Sequence, residues 1–227
     1  VGQAGQTIRQ REYYEHCRND IIAAVPGRGH RILDIGCGRG ATLRAMKEAG
    51  IALEAVGIEM DRGAAAAAKR VLDRVIVGDI ERIEPGFPDG YFDVVIMADV
   101  LEHLVDPWGA VRKAGRYLAK DGIFIASMPN IRECKSLCDI VFKGDFKYSD
   151  AGIMDRSHLR FFCRKNMVKM VGDVFRIVEV RTVPELAGGE VALLNRLTLR
   201  LFEEFLVLQY IIVARNEKPR FGSGGAR

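Results

Sequence analysis

The stretch Arg31-Ile32-Leu33-Asp34-Ile35-Gly36-Cys37-Gly38-Arg39-Gly40 decides how the chain is read. An apolar run that ends in an acid and then breaks into alternating glycines predicts a buried strand feeding a tight turn. Residues 41–49 carry apolar groups at helical spacing, so the turn opens a helix. Glycine suits such a turn because a side chain would keep the backbone from closing on a ligand. The N–H groups at the helix start favour anions or oxygen-rich groups. Asp34 adds a carboxylate at the strand's carboxyl end, where open α/β sheets bind ligands. A nucleoside-like ligand is expected there. Gly36, Gly38 and Ala41 also fit the dinucleotide pattern G-x-G-x-x-G/A, and Glu59 stands where a ribose-binding acid is expected. The turn alone therefore leaves a nicotinamide cofactor and another nucleoside both open.

Working outward, the pattern alternates. Residues 9–24 read as a helix with Tyr13, Cys17, Ile21 and Ala24 on one face, stopped by Pro26-Gly27. Apolar strands are expected near 31–35, 53–58, 75–77, 92–97 and 123–127, with two more near 175–180 and 209–214. Helices fall between them, near 41–50, 62–72, 107–119 and 164–172. Such alternation implies a mostly parallel sheet covered on both faces. Residues 131–163 break the rhythm with a short helix (132–142) and a polar passage, as expected of a lid or substrate wall. A long apolar helix over 191–208 suits core packing or a subunit contact, and 221–227 reads as a flexible tail.

A chain of 227 residues is long enough for one well-buried α/β domain with a modest insertion, here expected over 1–220. No apolar run reaches the ~20 residues a membrane span needs, and the start lacks a signal-peptide pattern, so a cytoplasmic protein is expected. The net charge of +4 is spread along the chain without interleaved aromatics, which argues against a nucleic-acid platform. Five cysteines (Cys17, Cys37, Cys134, Cys138, Cys163) are an odd number and argue against a disulfide framework. Cys134 and Cys138 lack a third cysteine for an iron–sulfur site and are expected to pack on one helix face. The four histidines (His16, His30, His103, His158) show no close ligand spacing, so no metal site is expected.

Four strand-end sites now stand in order: Asp34 with its glycines, Glu59, Asp79, and the run from Asp99 to His103. With these the chain resembles the class I S-adenosylmethionine-dependent methyltransferases. The segments that carry the resemblance are ILDIGCGRG (32–40), VGIEMD (56–61), GDIE (78–81), FDVVIMADVLEHL (92–104) and LAKDGIFIASMPN (118–130). A further stretch, GIMDRSHLRFF (152–162), resembles one in small bacterial methyltransferases of sugar, polysaccharide or natural-product pathways. The resemblance implies a Rossmann-like α/β fold: a seven-stranded, mostly parallel sheet with helices on both faces and an antiparallel final strand. It implies S-adenosyl-L-methionine as cofactor and S-adenosyl-L-homocysteine as product. By position it sets Asp34, Gly36, Cys37, Gly38 and Gly40 against the methionine portion, Glu59 on the ribose, and Met60 on the adenine. Asp79 and Ile80 fall at the adenine edge, Ala98 and Asp99 beside the methionyl group, and Tyr14 or Tyr13 over the cofactor. Core packing is the competing use of Met60 and Ile80.

The implied reaction is an in-line displacement at the methyl carbon, in which the protein mainly aligns the partners and excludes water. A hydroxyl acceptor also needs help losing its proton. His103 and His158 are the candidate bases, with Asp99 orienting a histidine or the acceptor. Residues 98–101 do not follow the Asn/Asp-Pro-Pro-aromatic pattern of amino-methylating nucleic-acid enzymes. A small hydroxylated acceptor such as a sugar or a glycosylated or natural-product intermediate remains, with self-association through 191–208 as a further expectation. Two readings from other classes stay open: a non-catalytic cofactor-binding regulator or scaffold, and an NAD-dependent oxidoreductase.

Overall fold

The computed structural model describes residues 17–184 and 203–217. In β1 (His30–Ile35) the last four residues are buried although neighbouring side chains of a strand point to opposite faces. Both faces are covered, because Ile32 belongs to one apolar cluster with Val94, Ile96 and Ala55, and Leu33 to another with Val56, Val95 and Met97. That is why these strands read as continuous apolar runs.

The chain continues through α2 (Ala41–Glu48), β2 (Ala52–Glu59), α3 (Arg62–Ala68), β3 (Arg74–Val77) and β4 (Phe92–Ala98). A 3₁₀ turn (Leu101–His103), α4 (Pro107–Tyr117) and β5 (Leu118–Pro129) follow. Then come α5 (Cys134–Phe142), α6 (Arg164–Gly172), β6 (Arg176–Val183), α7 (Glu203–Leu206) and β7 (Gln209–Arg215), while α1 (Asn19–Ile22) precedes β1. Local chemistry sets several of these bounds. Asp61 caps α3 by accepting the Ala64 amide at 2.7 Å, and Asp106 caps α4 by accepting that of Gly109 at 2.9 Å ahead of Pro107.

The seven strands lie in the order β3-β2-β1-β4-β5-β7-β6. Pairings among β1 to β5 are parallel, and β7 runs antiparallel to both of its neighbours, as the resemblance implied. From β1 the chain steps outward to β2 and β3 and then returns to β4 on the other side. The ends of β1 and β4 thus flank a topological switch point, where such sheets bind ligands.

Several expectations need correction. The first described helix starts at Asn19; Cys17 and Arg18 precede it in non-helical backbone, and residues 1–16, including Tyr13 and Tyr14, lie outside the described residues. Strand β5 is twelve residues long because α4 stops at Tyr117 and the chain enters the sheet at once, with Asp121 in the left-handed region (φ 62°) at the expected Asp-Gly turn. Cys134 is exposed and not a packing residue: only Ser136 of α5 is buried, while Val141 and Phe142 are 67% and 83% exposed. Of the apolar helix expected over 191–208, residues 191–202 lie outside the described residues, as does the tail at 221–227.

Segment 131–163 folds back on the sheet edge. Asn130 bridges to Phe162, which is buried, and the amides of Leu159 and Arg160 both donate to the Glu102 carbonyl at 2.8 and 2.9 Å. Among the described residues no helix is long and apolar enough to cross a membrane.

Candidate functional site

The turn after β1 is left-handed at Gly36 (φ 79°), Gly38 (56°) and Gly40 (82°). The amides of Gly36 and Cys37 donate to the Ile58 carbonyl, tying the turn to β2. Val100 lies directly over it: a Cβ on Gly36 would stand 2.4 Å from the Val100 Cγ2. Glu59 is buried, and its two oxygens accept the amides of Gly38 at 2.9 Å and Asp61 at 2.8 Å. The acid expected on a ribose therefore also sets the shape of the glycine turn. Cys37 is buried against Gly57, and burial pushes its thiol well above the usual range.

Asp34, 6% exposed, has no hydrogen-bond partner for its carboxylate among the described residues. Burial, then the nearby Glu59, push its pKa up to about 8, against the pull of Arg18. Such a group is a ready partner for a cationic ligand atom. Of the residues expected around a base, Met60 is 72% exposed just past the end of β2, which removes core packing as its use, whereas Ile80 is buried in the core. Asp79 accepts the Glu81 amide at 2.9 Å and pairs with Arg82. Ala98, half-buried, ends β4.

Asp99 adopts a left-handed backbone (φ 55°), uncommon for a residue with a side chain. Its carboxylate accepts from the Arg18 guanidinium, the Gln209 amide and the Ser127 hydroxyl (3.0 Å), so it is committed to neighbours on α1's leading edge, β7 and β5. Burial still holds its pKa up in spite of Arg18. A cleft of about 520 Å³ opens beside it, lined by Cys17, Arg18, Asp20, Asp99, Val183 and Gln209.

The structure brings the two candidate bases together. His103, on the 3₁₀ turn after β4, and His158, in the segment that folds back, have ring centroids 4.8 Å apart at 72°. His103 Nδ1 lies 3.2 Å from the Ser157 carbonyl and His158 Nδ1 lies 3.0 Å from that of Ile153. A carbonyl only accepts, so in each neutral ring Nδ1 carries the hydrogen and Nε2 keeps its lone pair. Burial, then His158, hold His103 below the usual histidine range and so neutral. Beside them Glu102 is 1% exposed, and its Oε2 finds no partner among the described residues. Burial, then Asp99, push its pKa well up.

Sequence spacing did not show this cluster, because His103 and His158 lie far apart along the chain and meet only in the fold. His158 reaches His103 only through the fold-back. Glu102 was missed although it adjoins His103; an acid next to a histidine just past a strand end was the available signal. Arg18, Ser127 and Gln209 carry no such signal, since each meets Asp99 only in three dimensions.

Residues 33–126 match the family model described as "Methyltransferase domain". Among curated proteins, the 27-O-demethylrifamycin SV methyltransferase of Amycolatopsis mediterranei is 36% identical over 100 residues, 41% of this chain and 36% of that protein. The ubiquinone biosynthesis O-methyltransferase of Caulobacter vibrioides is 31% identical over 128 residues, 53% of this chain and 50% of that protein. Among solved structures, a SAM-dependent methyltransferase from Archaeoglobus fulgidus superposes with a TM-score of 0.66 at 19% identity, covering 93% of this chain and all of that one. Residues 33–126 thus match a methyltransferase domain, and the fold is that of the S-adenosylmethionine-dependent methyltransferases. The chain spans about a third to a half of the length of the first curated relatives it matches. The fold is also shared by the [4+2]-cyclase SpnF, with a TM-score of 0.61 at 18% identity over 94% of this chain and 85% of that one.

Proposed function

We propose that this chain transfers the methyl group of S-adenosylmethionine to a hydroxyl oxygen of a small acceptor, a sugar or a glycosylated or natural-product intermediate. The observation that carries the reading is the pair of imidazoles, His103 and His158, whose Nε2 lone pairs are left available just past the end of β4, one turn from the residue that covers the glycine loop. A nitrogen acceptor that is already nucleophilic has no need of such a pair; a hydroxyl does. The names of the rifamycin and ubiquinone relatives, both O-methyltransferases of small molecules, point the same way.

The residues present fit the cofactor. Gly36, Gly38 and Gly40 keep the turn free of side chains, and the amides at the start of α2 face the same loop. Asp34, buried without a hydrogen-bond partner among the described residues, suits the methionyl ammonium, with Cys37 and Ala98 beside it. Glu59 suits the ribose hydroxyls, exposed Met60 the adenine face, and Asp79 with Ile80 its edge. When bound, the cofactor supplies an activated methyl on sulfur. The protein then aligns the acceptor oxygen with that methyl and removes the hydroxyl proton through the histidine cluster. Asp99, already held by three donors, acts by fixing the wall between the two ligands. Segment 131–163 forms the acceptor side, where Phe146, Tyr148 and Phe161 stack edge to face next to His158.

The test is calorimetry with S-adenosylhomocysteine and with NADH, followed by methyl transfer from labelled cofactor to panels of hydroxylated and amino acceptors. S-adenosylhomocysteine binding with label on oxygen is expected, falling at least tenfold in kcat in His103→Ala or His158→Ala. Label on nitrogen, or full turnover in both variants, would sink the O-methylation reading. Cofactor binding with silence on every acceptor would favour a cofactor-binding regulator, and NADH binding alone an oxidoreductase.

A further inference from the structure

We propose that Glu102, His103 and His158 form a binding site for one divalent transition-metal ion. One carboxylate oxygen and one nitrogen from each ring lie within 4.8 Å of one another. Ligands at ~2.0–2.2 Å from a shared ion stand roughly 3–4 Å apart, so small side-chain rotations close the set. Both rings are already oriented as ligands. Their Nδ1–H groups are anchored on the Ser157 and Ile153 carbonyls, the outer hydrogen bond that metal-bound histidines ordinarily make.

The independent observation is Glu102. Its side chain is all but fully buried, yet among the described residues Oε2 has no hydrogen-bond partner. An orphan of that kind is costly in a folded chain, and a cation at the centre of the triangle removes the cost. The frame is also assembled in advance, because the Glu102 carbonyl accepts the Leu159 and Arg160 amides. The turn that carries Glu102 and His103 and the segment that carries His158 are thereby locked together. Asp155, which accepts the amide and hydroxyl of Ser157, braces the loop behind His158. Asp99 is left out of the set, being engaged by Arg18, Ser127 and Gln209.

Two imidazoles and one carboxylate suit zinc, manganese, iron(II) or cobalt over calcium or magnesium, which prefer all-oxygen sites. His103 and His158 are only partly buried, so three protein ligands leave coordination positions open toward solvent. The use of those positions rests on the O-methylation reading above. An acceptor hydroxyl bound there is polarised by the ion and gives its proton to solvent, so with metal bound the two imidazoles act as ligands and the ion replaces them as the group that activates the hydroxyl. The new oxygen–carbon bond then forms as the methyl–sulfur bond breaks, and neutral S-adenosylhomocysteine departs.

The experiment uses the full chain without an affinity tag, stripped with a chelator and titrated with Zn²⁺ and Co²⁺ alone. Calorimetry reads stoichiometry, and the visible absorption of Co²⁺ reads its ligand field. One ion per chain, with affinity weakened at least tenfold in both Glu102→Gln and His158→Ala at unchanged melting temperature, upholds the site. No saturable binding by a folded chain overturns it, as does binding that neither substitution weakens. S-adenosylhomocysteine is titrated in parallel. Metal binding without it leaves the site standing and removes the methyl-transfer reading, whereas cofactor binding without metal does the reverse.

Discussion

The carboxylate of Glu59, at the end of β2, accepts the amide of Gly38, in the middle of the glycine turn, at 2.9 Å. Its other oxygen holds the Asp61 amide, so one buried acid fixes two loops that meet at the switch point of the sheet. Glutamine at this position keeps one acceptor and presents an NH₂ to the second amide. Charge-assisted hydrogen bonds of this kind contribute ~1.5–3 kcal/mol. Glu59→Gln is expected to weaken S-adenosylhomocysteine binding at least tenfold and to lower the melting temperature by about 4–8 °C. Calorimetry and thermal denaturation check both, and wild-type affinity in the variant would mean that the turn holds its shape without Glu59.

Asp34 predicts a pH dependence with a definite sign. Its pKa in the folded chain, about 8, lies above the ordinary 3.8, so between those values the folded state binds more protons than the unfolded one. Stability attributable to this group is therefore greatest at low pH, declines as pH rises from about 4, and levels off above 8. The loss is on the order of a few kcal/mol, at roughly 1.4 kcal/mol for each pH unit of difference. Asp34→Asn should be more stable than the parent at pH 8 and show a flatter pH profile in urea denaturation. A cationic ligand group beside Asp34 favours its ionised form, so ligand binding at pH 6.5 should release a proton. Calorimetry in two buffers of different ionisation enthalpy measures that release directly, and equal heats in both would refute it.

The sequence is most legible where one physical requirement acts on consecutive residues. Burial on both faces makes β1, β4 and β5 continuous apolar runs, and backbone closure demands glycine at 36, 38 and 40, so fold and cofactor turn could be read locally. Element ends were less legible: Arg18, read as helical, leaves the helix because its guanidinium reaches Asp99 just past β4. The cluster of Glu102, His103 and His158 was illegible in spacing because a carbonyl pairing between Glu102 and residues 159–160 brings it together. No local rule encodes that contact. Met60 shows the opposite failure, an apolar residue whose exposure only its place just past the end of β2 reveals.

Gly57 and Cys37 supply a steric prediction free of backbone strain. A Cβ on Gly57 would stand 2.4 Å from the Cys37 Sγ and 3.1 Å from the Leu72 Cδ1. Overpacking of this sort costs ~1–3 kcal/mol, so Gly57→Ala should destabilise the chain by that amount. Removing the sulfur should recover part of it, because the closest clash is with that atom. The double variant Gly57→Ala/Cys37→Ala is expected to be at least ~1 kcal/mol more stable than the sum of the single changes predicts. Strict additivity in urea melts would show that Cys37 moves aside without cost.

Arg18 and Asp99 test whether the wall between the cofactor turn and the acceptor side is held electrostatically. The guanidinium touches Asp20 at 2.8–2.9 Å, the Gln209 side chain at 3.2 Å and Asp99, with the two paired side chains only 15% and 24% exposed. Breaking a fully buried pair costs ~3–5 kcal/mol; partial exposure reduces that here to about 1–3. Asn is the informative replacement at position 99, because it tolerates the left-handed backbone that Asp99 adopts, so only the charge is lost. Arg18→Met should leave Asp99 with the Ser127 and Gln209 donors, and Asp99→Asn should leave Arg18 with Asp20 and Gln209 among its partners. Because each single change removes the same interaction, the double variant should lose less than the sum, with a coupling of ~1 kcal/mol or more. Additive losses in a urea-denaturation cycle would mean that Asp20 and Gln209 hold Arg18 in place, and that the charge on Asp99 does not fasten this edge of the cleft.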